Sequence, residues 1–158
     1  MNNKEIIVDK LKAMGFDPVD LGSAGYVFQY GEMNFLYMPD EDDQFLRIAL
    51  PNVKEVTDDN RAAILEAAHE TGLQVKYAKV NIMFEDNVWC VYEHYLNSIY
   101  NLSELLEHII RVLEVTAMVF FKKLNGEELE IGEDGEPDEN SDNLLEEEMR
   151  KMFESIEE

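Results

Sequence analysis

The stretch Val88-Trp89-Cys90-Val91-Tyr92-Glu93-His94-Tyr95 decides how this chain folds. Successive side chains of an extended backbone point to opposite faces. Trp89, Val91 and Tyr95 therefore share one face, and Val88, Cys90 and Tyr92 share the other. Both phases are apolar, which predicts a strand at least partly covered on each side. Residues 75–84, just upstream, alternate in the same way, with Tyr77, Lys79, Asn81 and Met83 on one phase and Val80, Ile82 and Phe84 on the other. Glu85-Asp86-Asn87 is short enough to join the two as a hairpin. Further upstream Tyr26, Phe28 and Tyr30 alternate with Val27 and Gln29, Gly31-Glu32 turns the chain, and Phe35-Leu36-Tyr37-Met38 returns. Residues 39–43 turn again, and residues 45–50 form a third strand stopped by Pro51. Aromatic-rich, period-2 segments with short turns favour an antiparallel meander.

Helical spacing brackets these strands. Ile6, Ile7, Leu11 and Met14 mark a first helix, closed by Gly15 and Pro18. A second begins near Thr57 or Asp58, is filled by Ala62, Ala63, Ile64, Leu65, Ala67 and Ala68, and closes at Gly72. The third opens at Asn101 or Ser103 and runs through Leu105, Leu106, Ile109, Ile110, Leu113, Ala117, Phe120 and Phe121 to Gly126. At about 22 residues it is about 33 Å long, enough to cross a five-stranded sheet. The order α-β-β-β-α-β-β-α predicts an α+β fold with an antiparallel five-stranded sheet, followed by an acidic linker and a C-terminal helix. Residues 1–125 form the domain, 126–142 the linker and 143–158 the amphipathic tail helix. In the tail, Leu145, Met149, Met152, Phe153 and Ile156 fall on one helical face.

Charge narrows the function. Among 158 residues, 13 Lys and Arg face 35 Asp and Glu, for a net charge of −22. Fifteen acids against Arg150 and Lys151 leave residues 126–158 at −13, and residues 1–125 at −9. Nucleic-acid binding needs a basic footprint, and an anionic membrane surface repels such a chain. No signal peptide opens the sequence, and no apolar run approaches the length of a membrane span. The one cysteine precludes an intramolecular disulfide and a cysteine-built metal site, and with the absence of targeting it reads as cytoplasmic.

The catalytic and metal constellations all read more simply as structure. Glu66-Ala67-Ala68-His69 has the spacing of a di-metal helix but no second copy. Glu104-Leu105-Leu106-Glu107-His108 lacks the first histidine of an inverted zinc-protease motif. Cys90 with His69, His94 or His108 lacks the local signature of a cysteine nucleophile. The acidic residues 133–142 fail the calcium-loop register. No phosphate loop or nucleophile elbow is present. No cofactor, metal ligand or catalytic residue is assigned.

The aromatics point instead to contact with protein. Tyr26, Phe28, Tyr37 and Trp89 crowd one sheet, and a part left uncovered by the helices marks an interaction site. With Leu145, Met149, Met152 and Phe153 of the tail, they are the candidate partner-binding residues. The tail is also a candidate occupant of the same groove in cis.

Gly25-Tyr26-Val27-Phe28 through Tyr37, Ile48-Ala49-Leu50-Pro51, the passage from Ala67 and Gly72 into Lys76-Tyr77-Ala78-Lys79-Val80, and Val88-Trp89-Cys90-Val91 before the long helix carry a resemblance. Over about residues 1–124 the chain resembles the type III secretion chaperone-like superfamily, in its YbjN-like branch. The resemblance implies a chaperone-like fold, a homodimer and the binding of protein segments. By similarity the alanine-rich second helix, with Ala63 and Ala67, is the dimer element. The expected function is a non-enzymatic protein-binding module. A small-ligand binder or enzyme with an unrecognised pocket, and a regulatory subunit docking through its tail helix, are the alternatives.

Overall fold

A computed structural model describes residues 2–126. The acidic linker beyond Gly126, the tail helix and its candidates Leu145, Met149, Met152 and Phe153 lie outside the described residues. Over the described residues the chain is α+β, with a single antiparallel sheet and three α-helices. In order these are α1 (Asn3–Ala13), β1 (Val19–Asp20), β2 (Tyr26–Tyr30), β3 (Met33–Tyr37), β4 (Phe45–Glu55), α2 (Arg61–Gln74), β5 (Ala78–Met83), β6 (Asn87–Tyr95) and α3 (Leu102–Leu124).

The strands lie in the order β1-β2-β3-β4-β6-β5. The sixth strand is β1, whose two residues are too few to show a period in the sequence. A second difference concerns Pro51. Instead of stopping at Leu50, β4 runs on to Glu55, with an irregularity between Leu50 and Lys54 in its pairing with β6. A proline has no N–H for the ladder, and a bulge is where a sheet tolerates one. The second helix starts at Arg61 rather than at Thr57 or Asp58 because residues 57–60 form their own turn. There the Thr57 N–H donates to Asn60 Oδ1 at 2.7 Å and the Asn60 N–H donates to Thr57 Oγ1 at 3.3 Å. The helix also passes Gly72 and ends at Gln74.

Local chemistry anchors the other ends. Asn2 and Glu5 form a capping box at the start of α1, with the Glu5 N–H donating to Asn2 Oδ1 at 2.9 Å. Asn3 ties that end to the β3–β4 turn through two hydrogen bonds to Asp43, at 3.0 and 2.8 Å. Gly25, buried at the entry to β2, has φ +116°, and a Cβ there would run into the Tyr37 carbonyl oxygen.

All three helices share one side of the sheet. Ile7 and Leu11 of α1, Ile64 and Ala67 of α2, and the length of α3 from Leu102 to Phe121 join Phe28, Phe35, Tyr37, Leu46, Ile48, Leu50, Val88, Cys90 and Tyr92 in one core. Every residue of α3 from Val115 to Phe121 is buried. Its Thr116 hydroxyl donates to the Val112 carbonyl at 2.7 Å, and Thr71 in α2 does the same to Ala67, so neither buried hydroxyl is left unpaired. No helix among the described residues is long and apolar enough to cross a membrane.

Candidate functional site

The opposite phase of the same strands forms a second, smaller apolar cluster. Leu36, Ala49, Trp89 and Val91 are its buried members, with Val27, Met38 and Met83 packed around them. Every residue in it comes from a strand or a strand end, and none from a helix. Its geometry follows from the ladder register. Val19 pairs with Val27, Val27 with Leu36, Leu36 with Ala49, Ala49 with Val91, and Val91 with Lys79. One row of side chains thus crosses all six strands. It is aliphatic from Val19 to Val91 and ends in a cation. Ala49, fully buried, stands at its centre between Leu36 and Val91. At about 4.8 Å per strand, the five steps of the row cover about 24 Å.

One end of this face is aromatic and strained. The Trp89 indole N–H donates to Asn52 Oδ1 at 3.2 Å. Asn52 sits at the β4 irregularity with φ 55°. The Phe84 ring meets Trp89 edge-on at 5.6 Å although the residue is 75% exposed, and its φ is 56°. A bulky side chain rarely occupies the left-handed region without a compensating constraint. The other end is charged. Glu93 accepts from Lys79 and stands 3.4 Å from an Arg47 terminal nitrogen. The hydrogen bond from Lys79 is the main reason the Glu93 carboxyl ionises below its ordinary range, with the nearby positive charges adding to it against partial burial. The Arg47 guanidinium also lies 4.7 Å over the Phe45 ring. Two cations and one carboxylate make this corner locally positive on a strongly acidic chain.

The candidate residues from the sequence divide between the faces. Trp89 belongs to this second surface. Phe28 and Tyr37, at 2% exposure each, are spent in the helix-side core. Tyr26 packs against the same core and stacks on Tyr37 at 6.2 Å. The four aromatics therefore do not form one surface, because the register sends Trp89 to the opposite side. Of the candidate dimer pair, Ala63 is exposed and Ala67 is buried against the core. Asn52, Phe84, Arg47, Lys79 and Glu93 were not singled out in the sequence. Alternation put Lys79 on one phase of residues 75–84 and Trp89 and Val91 on one phase of residues 88–95, and only the register between the strands joins the two on one face.

The thiol and imidazoles do not assemble a nucleophile. Cys90 is fully buried on the helix side, and desolvation pushes its thiol up to about 12, away from thiolate. His94 is four residues along the same strand, about 13 Å away, with Tyr92 between them. His108 instead meets the rings of Tyr77 and Tyr92 edge-on, at 5.4 and 6.2 Å. Among the described residues no three His, Cys, Asp or Glu side chains converge in a metal-ligating group.

No family model matches the chain, and no curated protein does. Among solved structures it is similar to the crystal structure of an uncharacterized protein from Methanothermobacter thermautotrophicus. The two share 17% sequence identity with a TM-score of 0.53, over 78% of this chain and 98% of that one. At that identity the likeness is one of fold.

Proposed function

We propose that this is a non-enzymatic, cytoplasmic protein-binding module whose second sheet face receives an amphipathic helical segment of a partner. One observation carries the reading. The helices occupy one side of the sheet, while the other bears a continuous aliphatic row with a positive corner. A two-layer α+β domain has no folding need for so apolar an outer face, since antiparallel sheets commonly turn a polar face outward. A helix laid along the row would set residues at i, i+3, i+7 and i+10 onto Val27, Leu36, Ala49 and Val91, since about three residues of helix rise match one strand spacing. Lys79 at its end and Arg47 beside Ala49 on β4 select a segment with acidic residues on one flank. The resemblance to secretion chaperones, which hold client segments on apolar patches, agrees with this.

The test is a peptide-display selection against the full chain. The expected binders have apolar residues at helical spacing and acidic flanks, and lose binding to a Leu36→Glu variant whose circular dichroism is native. Binders indifferent to Leu36→Glu, or no enrichment of amphipathic sequences, overturn the reading.

A further inference from the structure

Phe84 has left the face that its strand assigns to it. Alternation along β5 puts it in phase with Val80 and Ile82, and both of those pack against the helix-side core. Its ring instead meets Trp89 edge-on, at 5.6 Å and 69°, and Trp89 belongs to the second face. The backbone accounts for the change of side. β5 ends at Met83, and Phe84 and Glu85 follow with φ 56° and 70°. A break from extended geometry re-aims the side chain at that position, as bulges do beside binding sites.

The arrangement is strained. Two successive left-handed residues in a hairpin turn ordinarily are asparagine, aspartate or glycine, and a bulky ring there is an outlier. Phe84 is three-quarters exposed, so burial offsets little of the strain. Asn52, whose Oδ1 accepts from the Trp89 indole N–H, is a third left-handed residue at this end, with φ 55°. Among the described residues, three of the five non-glycine positions with positive φ therefore belong to the two segments that hold or touch Trp89. Strain of this kind collects where a side chain must be presented for contact.

Pairing places this aromatic pair beside the aliphatic row. On β6, Trp89 lies two residues to one side of Val91, about 7 Å away. Glu93 lies two residues to the other side, joined to Arg47 and Lys79. A helix is about 10–12 Å across, so one laid along the row reaches both flanks. We infer that Phe84 is a specificity-determining anchor of the second face. Its ring, backed by Trp89, is an apolar wall for a large apolar side chain on one flank of the partner helix. The acids of that helix lie on the opposite flank, toward Arg47 and Lys79. The inference rests on the reading of this face as a helix-binding surface, and adds that the helix carries an apolar residue outside its row-facing stripe. A ring already held outward has little freedom left to lose on contact, which favours it as an anchor.

The experiment selects a displayed library of random 16-residue peptides on the full chain. Enriched peptides, labelled with fluorescein, are titrated against the full chain and its Leu36→Glu, Phe84→Asn and Phe84→Tyr variants, and a urea midpoint is measured for each protein. Asparagine suits the left-handed turn and removes the ring, whereas tyrosine keeps the ring. The expected peptides lose binding to Leu36→Glu, bind Phe84→Asn about 10- to 100-fold more weakly and bind Phe84→Tyr like the full chain. The urea midpoint of Phe84→Asn is expected to be no lower than that of the full chain. Peptides that need Leu36 yet bind Phe84→Asn as well as the full chain overturn the inference and leave the face a binding surface. Weaker binding to Phe84→Asn together with a lowered urea midpoint assigns Phe84 to holding the turn, and overturns it as well. Peptides indifferent to Leu36→Glu, or no enrichment, overturn both readings.

Discussion

Two neighbouring rows of residues cross the same sheet and meet different fates. One passes through Tyr26, Tyr37, Ile48, Tyr92 and Ala78, the other through Val27, Leu36, Ala49, Val91 and Lys79. The first is largely aromatic and lies under the helices. The second is aliphatic, ends in a cation and faces away from them. The difference is one of packing partners: helices for the first row, other strand residues for the second. Bulky rings fill the deep layer against α3, whereas the second row, with alanine at its middle, belongs to a smaller cluster of strand residues.

Four predictions test that division, from the largest effect to the smallest. Phe120→Ala, in the fully buried C-terminal part of α3, is expected to cost about 3–5 kcal/mol in urea unfolding. A cost below 1 kcal/mol would show that α3 does not seal the deep layer. Gly25→Ala is expected to cost about 3 kcal/mol, because a positive φ and the Tyr37 carbonyl both oppose a Cβ. A thermal midpoint equal to that of the unmodified chain would mean that β2 enters the sheet differently. Leu36→Ala, on the second face, is expected to cost only about 1–2 kcal/mol, since Leu36 belongs to the smaller cluster built from strand residues alone. A loss as large as that of Phe120→Ala would erase the contrast between the rows.

The smallest effect belongs to the charged corner. Glu93→Gln is expected to cost about 0.5 kcal/mol at neutral pH. The Glu93 carboxyl ionises lower when folded than when unfolded. Its contribution is therefore complete above the unfolded value and lost as pH falls through the folded one. The difference between Glu93→Gln and the unmodified chain should shrink below about pH 5 and disappear in stronger acid. A difference that grows toward acid would reverse the assignment.

Cys90 and Trp89 give the comparison two built-in reporters. They are adjacent in sequence, each is the only one of its kind in the chain, and they point to opposite faces. Thiol labelling of Cys90 follows opening of the deep layer, and Trp89 emission follows exposure of the shallow one.

The order of elements was legible because its signals are local. Alternation at 26–30 and 88–95, helical spacing at 102–124 and a capping residue at Asn2 each act within a few residues. Even the split of Trp89 and Val91 from Cys90 and Tyr92 follows from a two-residue period. What lay beyond the sequence was which phase the helices would cover. Periodicity divides side chains into two sets without naming their neighbours, so Tyr26, Phe28, Tyr37 and Trp89 looked like one surface. The structure sends three to the core and one to the other side, because α1, α2 and α3 all pack on the same phase. The passage of β4 through Pro51 was likewise settled by long-range pairing, since the partner strand β6 holds both sides of the irregularity. The sequence determined the elements and their two-faced strands. Only tertiary packing decided which face the helices cover, because that choice depends on contacts between residues distant along the chain.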